Sequence, residues 1–127
     1  MWIEFQKNKS KWNQQHIHDY QFVLERSCFC LPFEITYPTR IIVRNDEISE
    51  VEIIPSQKRV PDEDFGSYFT LGRLFDYLEE DIINKVDIIT VKYDSLYGFP
   101  QYIFVDEDTL AYDDEIEIVI KEFRKLN

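Results

Sequence analysis

The chain has 127 residues, 44% of them hydrophobic and 16% aromatic, with three glycines and five prolines, a composition that supports one domain and excludes a disordered or loop-rich scaffold. Its net charge of −11 lies wholly in residues 61–127, which hold seventeen acids against six bases, whereas residues 1–60 balance eight against eight. A field of that sign repels nucleic-acid backbones and anionic membrane surfaces, and suits a basic protein, a cationic ligand or a divalent metal.

The opening segment, "WIEFQKNKSKWNQQ", sets Trp2, Phe5 and Trp12 roughly on one side at helical spacing, which predicts an amphipathic helix. In "HDYQFVLERSCFC" the pattern changes to a period of two. Tyr20, Phe22, Leu24, Arg26, Cys28 and Cys30 then share one face of a strand. His16 and His18 fall at the helix-to-strand junction, where a surface pair explains them better than a metal site. "PTRIIVRND" and "EISEVEII" follow as two strands joined by a hairpin turn at Asn45-Asp46. Pro55 to Gly66 is polar, carries two prolines and reads as a loop.

A second helix is expected in "TLGRLFDYLEEDIINK", with Thr70 as N-cap and a stripe of Leu71, Leu74, Phe75, Leu78 and Ile82. Three more strands come after it: "VDIITVKYD", "PQYIFVDED" and "EIEIVIKEF". The halves also echo each other, Pro38 matching Pro100, Ile41 matching Ile103 and Val43 matching Val105. The expected architecture is a single α+β domain over residues 1–127. It has a mostly antiparallel sheet of about six strands with two helices on one face, and a duplicated αβββ unit over 1–55 and 70–124. No apolar run approaches the roughly 18 residues of a membrane span, and no charged-then-apolar signal segment opens the sequence.

Chemistry is sparse. Cys28 and Cys30 point to the same side of a regular strand and admit three readings: core thiols, a disulfide, or a redox or metal pair. A disulfide needs the backbone to bend, because i, i+2 Cα atoms in an extended strand lie about 7 Å apart. A zinc site would need His16 and His18, which the strand carries about 30 Å away. Seven carboxylates crowd Asp106 to Glu117. The EF-hand pattern fails there for want of its third ligand and its glycine. Asp106, Asp108, Asp113, Asp114 and Glu115 remain candidate ligands of another kind of calcium loop. The motifs of nucleophilic hydrolases, P-loops, dinucleotide sites and zinc proteases are all missing, so no catalytic residue is assigned and a non-enzyme is expected.

In "YDSLYGFP", Asp94 can bond nearby backbone N–H groups, Gly98 permits positive φ and Pro100 starts the next strand. That is a strand connection. Its functional reading is a recognition loop made by Tyr93, Asp94, Tyr97, Gly98, Phe99 and Pro100, since aromatics on loops suit protein contacts.

Three stretches together, "DYQFVLERSCFC", "LGRLFDYLEE" and "VKYDSLYGFPQYIFVDEDTLAYDDEIEI", resemble the bacterial domain-of-unknown-function family 6174. The resemblance rests on the C-x-C strand end, the Leu-Phe helix, Tyr93-Asp94, Gly98-Phe99-Pro100 and the acidic Asp113-Asp114-Glu115. It implies no activity. It does imply a secreted or lipoprotein-like member of the bacterial envelope, periplasmic or exported, with a leader or lipid-anchored tether ahead of Met1. In that oxidising compartment the two cysteines would be bridged. The leading expectation is therefore a non-enzymatic envelope protein that binds a protein partner through its acidic half. An acidic inhibitor or immunity protein masking a basic target is the alternative, and a calcium- or thiol-dependent enzyme comes third.

Overall fold

The computed structural model describes residues 1–28, 33–107 and 115–127. Helix α1 spans Trp2–Gln14, strand β1 Tyr20–Cys28, β2 Thr39–Arg44, β3 Glu47–Ile53 and β4 Lys58–Arg59. Helix α2 covers Leu71–Asn84, followed by β5 (Ile88–Tyr93), β6 (Pro100–Asp106) and β7 (Glu115–Lys125). Two 3-10 turns, Phe33–Thr36 and Asp62–Ser67, lie between these elements.

Among the described residues the strands form one antiparallel sheet in the order β4-β3-β2-β1-β7-β6-β5. The α+β class and the two helices agree with the sequence. The additional strand is β4, inside the stretch that reads as a loop. Its two residues add to β3 because Arg59 pairs opposite Glu52 and reaches the Glu50 carboxylate at 2.8 Å. The matched segments follow the same order across the sheet: β3-β2-β1 and β7-β6-β5 are two three-stranded meanders set side by side and stepping towards the same edge. Ile41 and Ile103, and likewise Val43 and Val105, are all buried on the helix-covered face.

That face holds the core. Tyr20, Phe22 and Leu24 alternate inwards from β1 as the period of two requires, and meet Leu71, Leu74, Phe75 and Leu78 of α2. Each fully buried Phe or Leu side chain contributes about 1.5–3 kcal/mol. Helix α1 buries Phe5 and Trp12, while Trp2 stays partly exposed and stacks on Phe5 with centroids 5.3 Å apart. Helix α2 begins as its sequence promises, Thr70 Oγ1 accepting the Arg73 N–H at 3.1 Å. A second cap comes from β1: the Tyr20 hydroxyl oxygen accepts the Leu71 N–H at 2.9 Å. Burial pushes the Tyr20 pKa up to about 12, so the phenol stays neutral. At the β2–β3 hairpin, Asn45 and Asp46 both take positive φ, 52° and 65°, as a two-residue turn of this kind demands.

The β1–β7 ladder is bulged. Gln21 pairs with Arg124 and Val23 with Lys121, so one residue of β1 faces two of β7. Glu122 supplies the extra residue at φ 52°, and the bulge turns Phe123 towards Trp12, Tyr20, Tyr97 and Phe99, all within 6 Å between ring centroids. The left-handed conformation costs a non-glycine residue about 1 kcal/mol, and Glu122 is exposed. Glu122→Gly is expected to raise stability by up to about 1 kcal/mol in a urea titration, and a loss of stability there would show that the carboxylate itself is needed.

Candidate functional site

Arg26 breaks the apolar run on the inner face of β1. It pairs in register with Ile118 of β7, itself paired with Ile103 of β6. Its guanidinium lies 5.6 Å from the Tyr68 ring and 5.7 Å from that of Phe69, and donates to the carbonyls of Ile35 at 3.2 Å and Ser67 at 2.9 Å. Burial lowers its pKa, a pull that Tyr68 and Tyr77 oppose. The side chain thus ties both 3-10 turns, through Ile35 and Ser67, to β1.

Beside it opens a cleft of about 440 Å³, within the size range of ligand sites. Its floor is Ile103, Val105, Ile116 and Ile118, from neighbouring strands. Leu74, Tyr77 and Leu78 of α2 form one wall and the segment from Gly66 to Phe69 another. Glu80, Asp81 and Glu107 edge the opening. None of these three carboxylates takes part in an ion pair among the described residues. The Asp81 pKa is raised, first by burial and then by the charges of Glu107 and Glu80. An apolar floor with an uncompensated acidic edge favours a cationic group joined to an apolar one.

The YDSLYGFP segment has a different employment. The Asp94 carboxylate accepts the N–H groups of Leu96 at 3.1 Å and Tyr97 at 2.7 Å, and the Gly98 N–H returns to the Asp94 carbonyl at 2.9 Å. Lys11 Nζ donates to the Ser95 carbonyl at 3.0 Å and Gln15 Nε2 to that of Tyr97 at 2.8 Å. Phe99 is only 3% exposed and meets Trp12 edge-on, and Pro100 is buried as well. Tyr97 stacks on Phe99 and tilts against Phe123. Tyr93 ends β5 half-buried, its pKa pushed up to about 12 by burial and then by Glu4. Gly98 has φ 88°, and a Cβ there would stand 2.7 Å from the Asn8 carbonyl oxygen, so α1 can approach this closely only over a glycine. Phe99 thus faces inwards, Tyr93 and Tyr97 are half-buried, and the segment is the seat of α1.

Cys28 closes β1 opposite Ile116, and Cys30 lies outside the described residues. Of the candidate calcium ligands, Asp106 is 6% exposed at the end of β6 and pairs in register with Glu115, which is exposed. Asp108, Asp113 and Asp114 lie outside the described residues. Among the described residues no three His, Cys, Asp or Glu side chains gather as a metal site would require. The rings of His16 and His18 are 6.4 Å apart, and His18 Nδ1 bonds the Asp46 carboxylate at 2.8 Å.

Sequence reasoning passed over the cleft, which no single segment contains. One signal was available: Arg26 is a charge in phase with an otherwise apolar strand face, and such a residue is either buried with partners or part of a site.

An open antiparallel sheet with two helices on one face, and a cleft between α2 and that sheet, defines an α+β protein with an opening on its inner face. The chain belongs to the family of unknown function DUF6174, whose model matches residues 4–125. No curated protein and no solved structure matches it.

Because Asp81 holds its proton more tightly when folded, its effect on stability is most favourable while it is protonated, and turns unfavourable as pH rises from the ordinary 3.8 through the raised value. Asp81→Asn is therefore expected to raise Tm at pH 7, by a stability gain of at most about 1 kcal/mol, with the difference from the parent closing below about pH 4. Thermal melts across that range check it; an equal gain at every pH would point to a cause other than charge.

Proposed function

We propose that this protein is a non-enzymatic binding module of the cell envelope that captures a basic protein partner on its acidic half. The observation that carries the reading is the trio of carboxylates, Glu80, Asp81 and Glu107, at the edge of an apolar cleft and without ion pairs among the described residues. An apolar side chain of the partner fills the cleft, and flanking lysines or arginines meet the carboxylates. The surplus of acids in residues 61–127 steers such a partner from a distance, within the Debye length of about 8 Å at physiological salt. No step of this role calls for a nucleophile, a general base or a bound metal.

A labelled peptide with a central leucine flanked by lysines tests the reading by fluorescence anisotropy. Its affinity should fall as salt rises, and Glu80→Lys with Glu107→Lys should weaken it by about tenfold or more. Binding that survives this charge reversal, or that is matched by a glutamate-flanked peptide, would remove the cleft from consideration.

Placement in the envelope rests on the resemblance of the C-x-C strand end and the acidic motif, and with it goes the proposal that Cys28 and Cys30 are bridged. Material exported to a periplasm, alkylated under denaturing conditions without reductant, should take up no label and weigh two hydrogens less than the reduced chain. Two alkylated thiols would withdraw the bridge and the compartment together.

A further inference from the structure

The two edges of the sheet are finished differently. On one side β4 has only two residues, Lys58 and Arg59, both charged and exposed, and Pro61 follows one residue beyond, after Val60. A short, charged edge closed by proline is how sheets are protected from adding further strands. On the other side, β5 runs for six residues, Ile88–Tyr93, with the sequence IITVKY. It pairs only with β6 among the described residues, contains neither proline nor glycine, and carries a single charge at Lys92. Its one irregularity, between Lys92 and Tyr93, comes at its very end. Ile88 is 42% exposed, and Thr90 and Lys92 are exposed beyond it on the same face. β-Branched residues fill four consecutive positions, the composition that best suits a pleated, half-buried surface.

From this asymmetry we infer that the free edge of β5 is a strand-addition site, and that its occupant is an extended, lysine- or arginine-bearing segment of another protein. The charge pattern selects the occupant. Asp87 and Asp94 bracket the strand, and Glu107 stands beside its start, where its carbonyl accepts the Asp87 N–H at 3.2 Å. A second copy of this chain fits badly. Antiparallel pairing about Thr90 would set Asp87 of one copy opposite Tyr93 of the other and next to its Asp94, in two molecules each carrying −11. A cationic strand meets the same carboxylates with attraction, and its backbone supplies the N–H and C=O groups that the β5 edge lacks. The inference takes the partner's charge from the cleft reading and shares Glu107 with it. Backbone pairing along β5 and insertion into the cleft have separate readouts, so either can fail alone.

The probe is an acetylated hexapeptide alternating lysine and valine, and the readout is hydrogen exchange of the individual β5 amides in the full chain. The peptide is expected to slow exchange along Ile88–Tyr93 and nowhere on β4. A version with alternate backbone nitrogens methylated, and one with glutamate for lysine, should give no protection. Thr90→Lys, an exposed change on β5, should weaken peptide binding by about tenfold while leaving Tm within a few degrees. Equal binding of the methylated peptide would overturn the inference, since charge alone would then account for it. So would protection confined to the α2 cleft, or β5 amides already protected in a concentration-dependent dimer without peptide.

Discussion

Everything else in this molecule hangs on the pairing of β1 with β7. Those two strands form the middle of the sheet, and among the described residues theirs is the only ladder that joins a strand of the first half to a strand of the second. The bulge at Glu122 belongs to that ladder, and its effect is to bring Phe123 among the rings of Trp12, Tyr20 and Phe99. A single interruption of the strand thus gathers aromatics from α1, β1, β7 and the β5–β6 connection into one cluster. Tyr20 then extends the link to α2 through its hydroxyl. Without the β1–β7 register, the helices would have no common surface on which to pack.

The same ladder positions the cleft. Arg26 on β1 and Ile118 on β7 are directly paired, and Ile103 on β6 continues the row. The guanidinium ties one carbonyl from each 3-10 turn, Ile35 and Ser67, to β1, and α2 forms the wall of the cleft opposite the Gly66–Phe69 segment. The charge of this half-buried cation is answered, among the described residues, by carbonyl dipoles and ring faces. The acids are left at the edge, where the charges of Glu107 and Glu80 add to burial in raising the Asp81 pKa. In that sense the asymmetry of charge between the two halves of the chain becomes an asymmetry around one opening.

Local order was legible in the residues. The period-two run from Tyr20, the Asn45-Asp46 turn, the Thr70 cap and the stripe through Leu78 each follow from stereochemistry within a few residues. What could not be read arises from contacts between distant segments. Strand order is one case: Ile41, Val43, Ile103 and Val105 share a burial pattern, but that β7 would lie beside β1 is set by no single segment. The YDSLYGFP loop is another. Its turn chemistry was plain from Asp94 and Gly98, but that its carbonyls would receive Lys11 and Gln15 depends on a helix more than eighty residues earlier. The cleft is the third, since its floor, walls and edge come from separate elements.

The central ladder also dictates an order of events. Tyr20 is partnered by Lys125, and Leu24 by Ile120, so the inner strand of the first half waits for the last strand of the chain. During synthesis, β1, β2 and β3 can zip together as soon as they appear, because their turns are short. Their apolar face, with Phe22, Leu24, Ile41 and Val43, lacks the cover of α2 until that helix is made, and β1 keeps one open edge until β7 is complete. Until then a central strand of the sheet has an unpaired edge, the kind of surface that invites wrong pairing. A sheet joined at its middle by strands this far apart in sequence is held by non-local contacts, which slows its folding.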